Sequence, residues 1–494
     1  MNRSATPTRF RIAALVLFCS VAMPGTASAH SFGQIYNLPI PLWMYLCGAA
    51  AALLLSFLIT GWFLQLPDAS AVPRGSDLAK SRWVRVMRML RLRSALRGLS
   101  VLLLLLCVVT GFFGTTDAYR NFNMTFFWVV FILGFSYLSA VIGNIYATIN
   151  PWLVLCEWLE GSAKSFTAGR WRYPIWLAYW PALALYMGFI WIELFTFNQP
   201  RSLAVMLSSY TVLNILGVWL IGKRAWFKYC EFLSVFMRLI ALMAPLHYCA
   251  PEQTGKRGQL RWRMPFAGLI EARAESWSLL VFVLFMLSST AFDGLHVTAP
   301  WFNLFWNDPF GILEALLGKP ALMYFETLHP YYRAYEALFL LLSPFLYLAF
   351  YLLFITLAKW LTRSKHTLRE LALGFGFSLL PIALVYHITH YFTLIPTQGV
   401  KIISLASDPF GWGWNLFGTA GFFRTLLIPD MAWIWHSQVA LILFGHIVSV
   451  VLAHHEALRF FPTRRQAALS QLPMLFLMVL FTSVGLWILT QPIK

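Results

Sequence analysis

The chain has 494 residues, of which 59% are hydrophobic, 17% aromatic and only 11% charged. That balance is too apolar for a water-soluble domain and calls for a lipid bilayer as solvent. The net charge of +18 sits in short clusters between apolar runs, which argues against a nucleic-acid partner, and six cysteines without a CxxC pair argue against a thiol metal site or a disulfide framework.

The N-terminus reads as a secretory signal peptide over residues 1–29. Arg3, Arg9 and Arg11 precede the run IAALVLFCSVAM, and Pro24-Gly25 and then Ala27-Ser28-Ala29 follow. Cleavage after Ala29 leaves His30 as the first mature residue. Its free amine and imidazole form one chelating unit of the kind that copper and zinc accept. Residues 30–494 then form a single transmembrane domain.

Apolar stretches of spanning length lie at 41–65, 98–115, 122–146, 174–196, 203–221, 276–292, 335–360, 371–394, 432–454 and 471–490. The expected fold class is therefore all-α, a polytopic bundle of about 10 spans. Basic residues fall in alternate loops: Arg74 to Arg97, Lys164 to Arg172, Lys223 to Arg263, Arg363 to Arg369 and Arg459 to Arg465. The positive-inside rule turns those loops to the cytoplasmic side and both mature termini to the outside. The run WFKYCEFLSVFMRLIALMAPL (226–246) has cationic loops on both sides and reads as an interfacial or re-entrant segment, with Glu231 paired to Arg238. Two long loops on the opposite side, near 293–334 and 395–431, each carry Asp-Pro-Phe-Gly, read as helix starts with Asp308 and Asp408 as caps.

Ionisable residues within spans are costly and mark function. The span ending SSTAFDGLH brings Asp293 and His296 to the outer side. YHITHYF places His387 and His390 on one face of the next outward-running helix, three residues apart. His436 begins the span that returns. Together with His30 these residues suggest a divalent metal, zinc or copper, with an open position for an activated water, and Asp293 as a catalytic carboxylate. His446 lies about 15 Å further along its helix than His436 and cannot share that ion; a haem on His446 is the less favoured alternative. Glu193 ends its span on the same side, His329 lies in an outer loop, and Asp117 reads as a turn residue beside Arg120. His454 and His455 read as interfacial, while His247 and His366 fall at the inner face. Trp412, Trp414, Trp433 and Trp435 are candidates to line an aromatic pocket. No phosphate loop, dinucleotide fingerprint, GxSxG or HExxH occurs.

Several strings carry a resemblance: NLPIPLW (37–43), NPW (150–152), SSTAFDG (288–294), YHITHY (386–391), SDPFGWGWNLFGT (407–419), GHIVSVVLAH (445–454) and SQLPMLFLMVLFTSVGLW (470–487). Through them nearly the whole mature chain resembles bacterial polytopic inner-membrane proteins labelled fenitrothion hydrolase. Asn37 replaces an acid common in that family, and His455 replaces another. The resemblance implies hydrolysis of an organophosphorus triester, with P–O aryl bond cleavage releasing a nitrophenol. The partners expected are the lipid bilayer and an apolar small-molecule substrate, with a second membrane subunit left open. A copper- or haem-binding redox or metal-handling protein is the alternative function, and a transporter or membrane-complex subunit the second.

Overall fold

The computed structural model describes residues 41–63, 91–162, 165–196, 199–249, 259–423 and 430–491. The expected signal peptide, His30, Asn37 and residues 66–90 of the first cationic loop lie outside them. The described chain is an all-α membrane bundle, and among its residues nine helices are long and apolar enough to cross a bilayer. They are α1 (Leu42–Phe63), α2 (Leu92–Phe113), α3 (Phe122–Ile142), α6 (Pro200–Ile221), α8 (Trp277–His296), α10 (Phe325–Thr362), α11 (Leu368–His390), α12 (Met431–Phe460) and α13 (Arg464–Thr490). The shorter apolar helix α5 (Trp180–Phe195) coincides with the remaining expected span. Between these run α4 (Pro151–Ser162), α7 (Phe232–Ile240) and α9 (Ala299–Trp306). One small antiparallel pair joins β1 (Leu246–Cys249) to β2 (Gln259–Trp262).

Two spans form the centre. In α8 and α11, 89% of the most apolar window is enclosed by protein, against 17% in α1. An enclosed helix can carry hydroxyls that lipid would not tolerate, and Ser288 of α8 meets Ser343 of α10 at 2.8 Å. α8 packs on α10, α11 and α5, α12 joins α11 to α13, and α1 closes against α12 and α13. A second group sets α2 against α4 and α6. α3 runs with π-helical turns from Thr125 to Phe135, a widening that recurs near functional sites.

At the crossing of α2 and α6, the Asn123 amide donates to the Pro200 carbonyl at 2.9 Å, directly over Gly111. A methyl group on Gly111 would stand 2.5 Å from that carbonyl and 2.6 Å from the Ala204 Cβ. Gly111→Ala should therefore cost about 1–3 kcal/mol of overpacking, seen as a lowered thermal midpoint of the detergent-solubilised protein.

The run 226–246 is re-entrant. Phe232 stacks on Tyr186 and meets Phe189 and Tyr210, residues midway along α5 and α6. The chain then turns back, with the Met237 sulfur near Ser136 and Ser139 of α3, and reaches the β-hairpin beside Gly143. The expected Glu231–Arg238 pair does not form. Glu231, wholly buried, instead caps α7: it accepts from the backbone N–H of Leu233 (3.2 Å) and Ser234 (2.7 Å), from the Tyr210 hydroxyl (2.5 Å) and from the Asn150 amide (3.3 Å). A helix start presents unpaired N–H groups and positive dipole, which draw a carboxylate more firmly than a distant guanidinium does. Arg238 turns to the Lys228 carbonyl and the Tyr179 ring.

At the cationic end, Glu157 takes both Arg97 and Lys223, and Lys223 also reaches Glu160 at 3.2 Å. His454 and His455 are buried within the protein, at 2% and 7% exposure. His454 bonds Gln471 of α13 at 3.0 Å, and neighbouring Glu456 binds Arg273 and Arg459. At the opposite, cation-poor end the two Asp-Pro-Phe-Gly loops share one turn. Asp308 accepts from the N–H of Ile312 and Glu314, Asp408 from those of Trp412 and Gly413. Gly311 (φ 66°) and Gly411 (φ 70°) supply the left-handed residue each turn needs. In the first loop Asp308 also caps the expected short helix, Ile312–Leu317, and Pro309 lies in the turn ahead of it rather than at its first position. Asp117 also forms the expected turn, accepting from the Tyr119 N–H at 2.9 Å.

Candidate functional site

Three helix ends meet at the cation-poor end: SSTAFDGLH of α8, YHITH of α11 and WIELF of α5. The central residue is Asp293. Its Oδ2 meets the His390 Nε2 at 2.7 Å and accepts the Tyr391 hydroxyl at 2.7 Å. The same hydroxyl stands 3.5 Å from Glu193 Oε1, so two carboxylates share one phenol. Its Oδ1 lies 4.0 Å from His296 Nδ1, which donates to the Asp293 carbonyl at 2.8 Å. Gly294 lets α13 come close: a methyl group there would lie 2.8 Å from the Ile488 side chain, while the His390 ring at 3.6 Å would be in ordinary contact. His387, one turn earlier on α11, bonds the Tyr137 hydroxyl of α3 through Nδ1 at 3.1 Å and contacts Phe236 of the re-entrant segment.

Two hollows flank this network. The smaller, about 30 Å³, is bounded by Glu193, Asp293, His387, Tyr391 and Thr290, with Phe232, Leu233 and Phe236 as its floor. That is room for one or two waters and nothing larger. The second, about 290 Å³, opens between the ends of α5 and α8, helix α9 and the start of α10. Leu194 borders both hollows, and His296, three residues beyond Asp293, borders the larger. A volume near 300 Å³ is of small-ligand size.

The predicted site residues divide accordingly. Asp293, His390 and His387 come together, and Glu193 joins them. His436 faces elsewhere: its Nδ1 donates to the Ala432 carbonyl at 2.6 Å, and its ring packs on Tyr45 of α1. His30 lies outside the described residues. Among those described, no three His, Cys, Asp or Glu side chains gather closely enough to hold an ion. His390 engages Asp293 through Nε2 and His387 engages Tyr137 through Nδ1, one ring nitrogen of each. The expected set of His30, His387, His390 and His436 is thus not assembled among the described residues: His436 turns toward α1, and His30 lies outside them. His446 is buried on α12, with Nδ1 bonded to the Ile442 carbonyl and Nε2 without a hydrogen-bond partner among the described residues. His366 bonds the Phe460 carbonyl, and His247 lies on β1, where burial and then Arg263 hold its ring below the usual imidazole range.

The site also holds residues that the sequence pattern did not single out. Tyr391 directly follows the paired histidines, and that adjacency was the available signal. Tyr137 carried none, because its meeting with His387 is a long-range contact. The aromatic residues expected around a pocket are not those observed. Trp412 and Trp414 stack with Phe410 in a surface loop, Trp433 meets Phe392, and Trp435 is buried against Tyr45. The larger hollow is walled by Phe302 and Trp306 of α9 and by Phe325 and Tyr332 of α10. Comparison of the chain with protein-family models, with curated proteins and with solved structures finds no match.

Proposed function

We propose that this protein is a membrane-embedded hydrolase of neutral organophosphorus triesters, working at the cation-poor end of its bundle with Asp293 as general base. The supporting observation is the arrangement around one carboxylate. His390 and Tyr391 both hold Asp293 Oδ2, and the carboxylate borders a hollow of water size, about 30 Å³, beside a ligand-sized one, about 290 Å³. The substrate class comes from the family resemblance. A neutral triester partitions into lipid and would reach helix ends at the membrane boundary from the bilayer itself.

In the reaction, a water held in the small hollow gives its proton to Asp293 as its oxygen bonds to phosphorus. The P–O aryl bond breaks and the aryl oxide leaves with the electron pair. A nitrophenolate is stable as an anion, so the departing group needs no proton from the protein. His390 and Tyr391 position the carboxylate, and oriented general bases contribute about 10²–10⁴ in rate. No step passes through a metal. In the cell this reading turns the cation-poor end to the periplasm of a bacterial inner membrane; the distribution of Lys and Arg supports that sidedness.

The test is release of 4-nitrophenolate from a dialkyl 4-nitrophenyl thiophosphate by the purified protein in lipid nanodiscs, against empty nanodiscs, before and after exhaustive chelation. Turnover that survives chelation is expected. Turnover abolished by chelation and restored by zinc or copper would return the histidines to a metal role; no turnover would remove the hydrolase reading. A second reading, proton-coupled transport, draws on one observation: a buried carboxylate, Glu231, at the tip of a broken helix midway along α5 and α6.

A further inference from the structure

We infer that the 290 Å³ hollow is a binding site for an aromatic anion, with Arg333 and His329 as its charge-recognising side chains. The inference rests on the hydrolase reading in one respect, namely that the anion is the reaction's leaving group. The site itself is built from the chain's own chemistry.

Its walls are flat rings from two elements. Phe302 and Trp306 come from α9, and Phe325 and Tyr332 from the first turns of α10. These rings already pack edge-to-face or tilted on one another: Trp306 with Phe325 at 4.7 Å and Phe302 with Tyr332 at 6.1 Å between centroids. A further ring entering the hollow would extend that pattern, each such contact adding to simple burial.

Its charge is mainly positive or neutral-basic. Three basic side chains border it, His296, His329 and Arg333, against one acid, Glu336, whose carboxyl is engaged by Tyr332. Among the described residues Arg333 makes one long hydrogen bond, 3.5 Å to the Phe195 carbonyl, and most of its fork of donors faces no such partner there. Trp306 is 1% exposed, and its indole N–H has no hydrogen-bond partner among the described residues. An aromatic ligand bearing an oxyanion matches both features: rings for its ring, donors for its charge.

Position links this hollow to the reaction. Leu194 borders both hollows, and its chain neighbour Glu193 faces the smaller one. His296 donates from Nδ1 to the Asp293 carbonyl and so presents its opposite edge away from the carboxylate. Water would thus enter on one side of this partition and the aryl group lie on the other.

The experiment uses the full chain in nanodiscs and 4-nitrophenolate itself as probe, at a pH where it is ionised. Binding is followed by equilibrium dialysis, with empty nanodiscs as blank. Saturable binding is expected in the unaltered protein, weakened about tenfold or more in Arg333→Gln, the loss of one charge-assisted contact. Phe325→Ala, at a half-exposed wall position, should weaken it as well. Unsaturable uptake equal to that of empty nanodiscs, or equal binding in all three proteins, would overturn the site. The two readings fail separately. Binding without triester turnover removes the hydrolase and keeps the anion site. Turnover with unchanged KM in Arg333→Gln and Phe325→Ala keeps the hydrolase and removes this site.

Discussion

Asp293→Asn lowers triester hydrolysis by about 10²–10⁴-fold while the protein still folds and inserts. Asparagine keeps the size of the side chain and one acceptor oxygen, so the hydrogen bond from Tyr391 has a partner in the variant. It removes the one property the reaction needs, a group able to take the proton of the attacking water. His390→Gln, by contrast, should reduce turnover less, because that ring orients Asp293 through the 2.7 Å contact and does not border the small hollow. The check is kcat and KM for both variants with a dialkyl 4-nitrophenyl thiophosphate in nanodiscs, alongside thermal midpoints. A lowered kcat at constant KM and constant midpoint is the expected pattern for Asp293→Asn. Full turnover in that variant would end the assignment of Asp293 as base.

Glu231→Ala is the second large effect, and it falls on stability. The carboxylate receives two backbone N–H groups, a phenol and an amide at the buried tip of the re-entrant segment. Deleting it leaves those donors in an apolar interior where water cannot serve them. A lost cap costs about 0.5–2 kcal/mol, and each stranded donor adds about 1–3 kcal/mol. The sum is large against the few kcal/mol that hold a protein folded. Glu231→Gln retains an acceptor oxygen and should lose much less. Thermal unfolding of both variants in the same detergent separates them; equal midpoints would mean that the cap carries little of the segment's stability.

The contrast between these two carboxylates explains what could be read from the sequence. Asp293, His387 and His390 were legible because span length, loop charge and helical periodicity set their depth and face. The spans themselves were legible for the same reason: a bilayer demands a fixed length of apolar residues, and this chain meets that demand without ambiguity. Partners across helices were not legible. Whether His436 turns toward α11 or toward Tyr45 depends on the rotation of α12, which packing decides, so a shared depth proved a poor guide to shared ligation. Glu231 was assigned to Arg238 by charge alone, whereas helix-end geometry takes precedence there. The wall residues of the larger hollow lay in an expected outer loop, but α9 had no depth signal to mark its aromatics as lining anything.

The closure of α1 against α12 and α13 has a bearing on how the protein is made. α1 is the earliest helix described, and its partners α12 and α13 come after every other described span. During synthesis it waits in lipid, which suits a helix whose surface is mostly outward-facing. The Tyr45–Trp435 contact can form only once α12 has been made. Membrane proteases that survey unassembled helices would therefore find the first span orphaned in any chain that stops before α12.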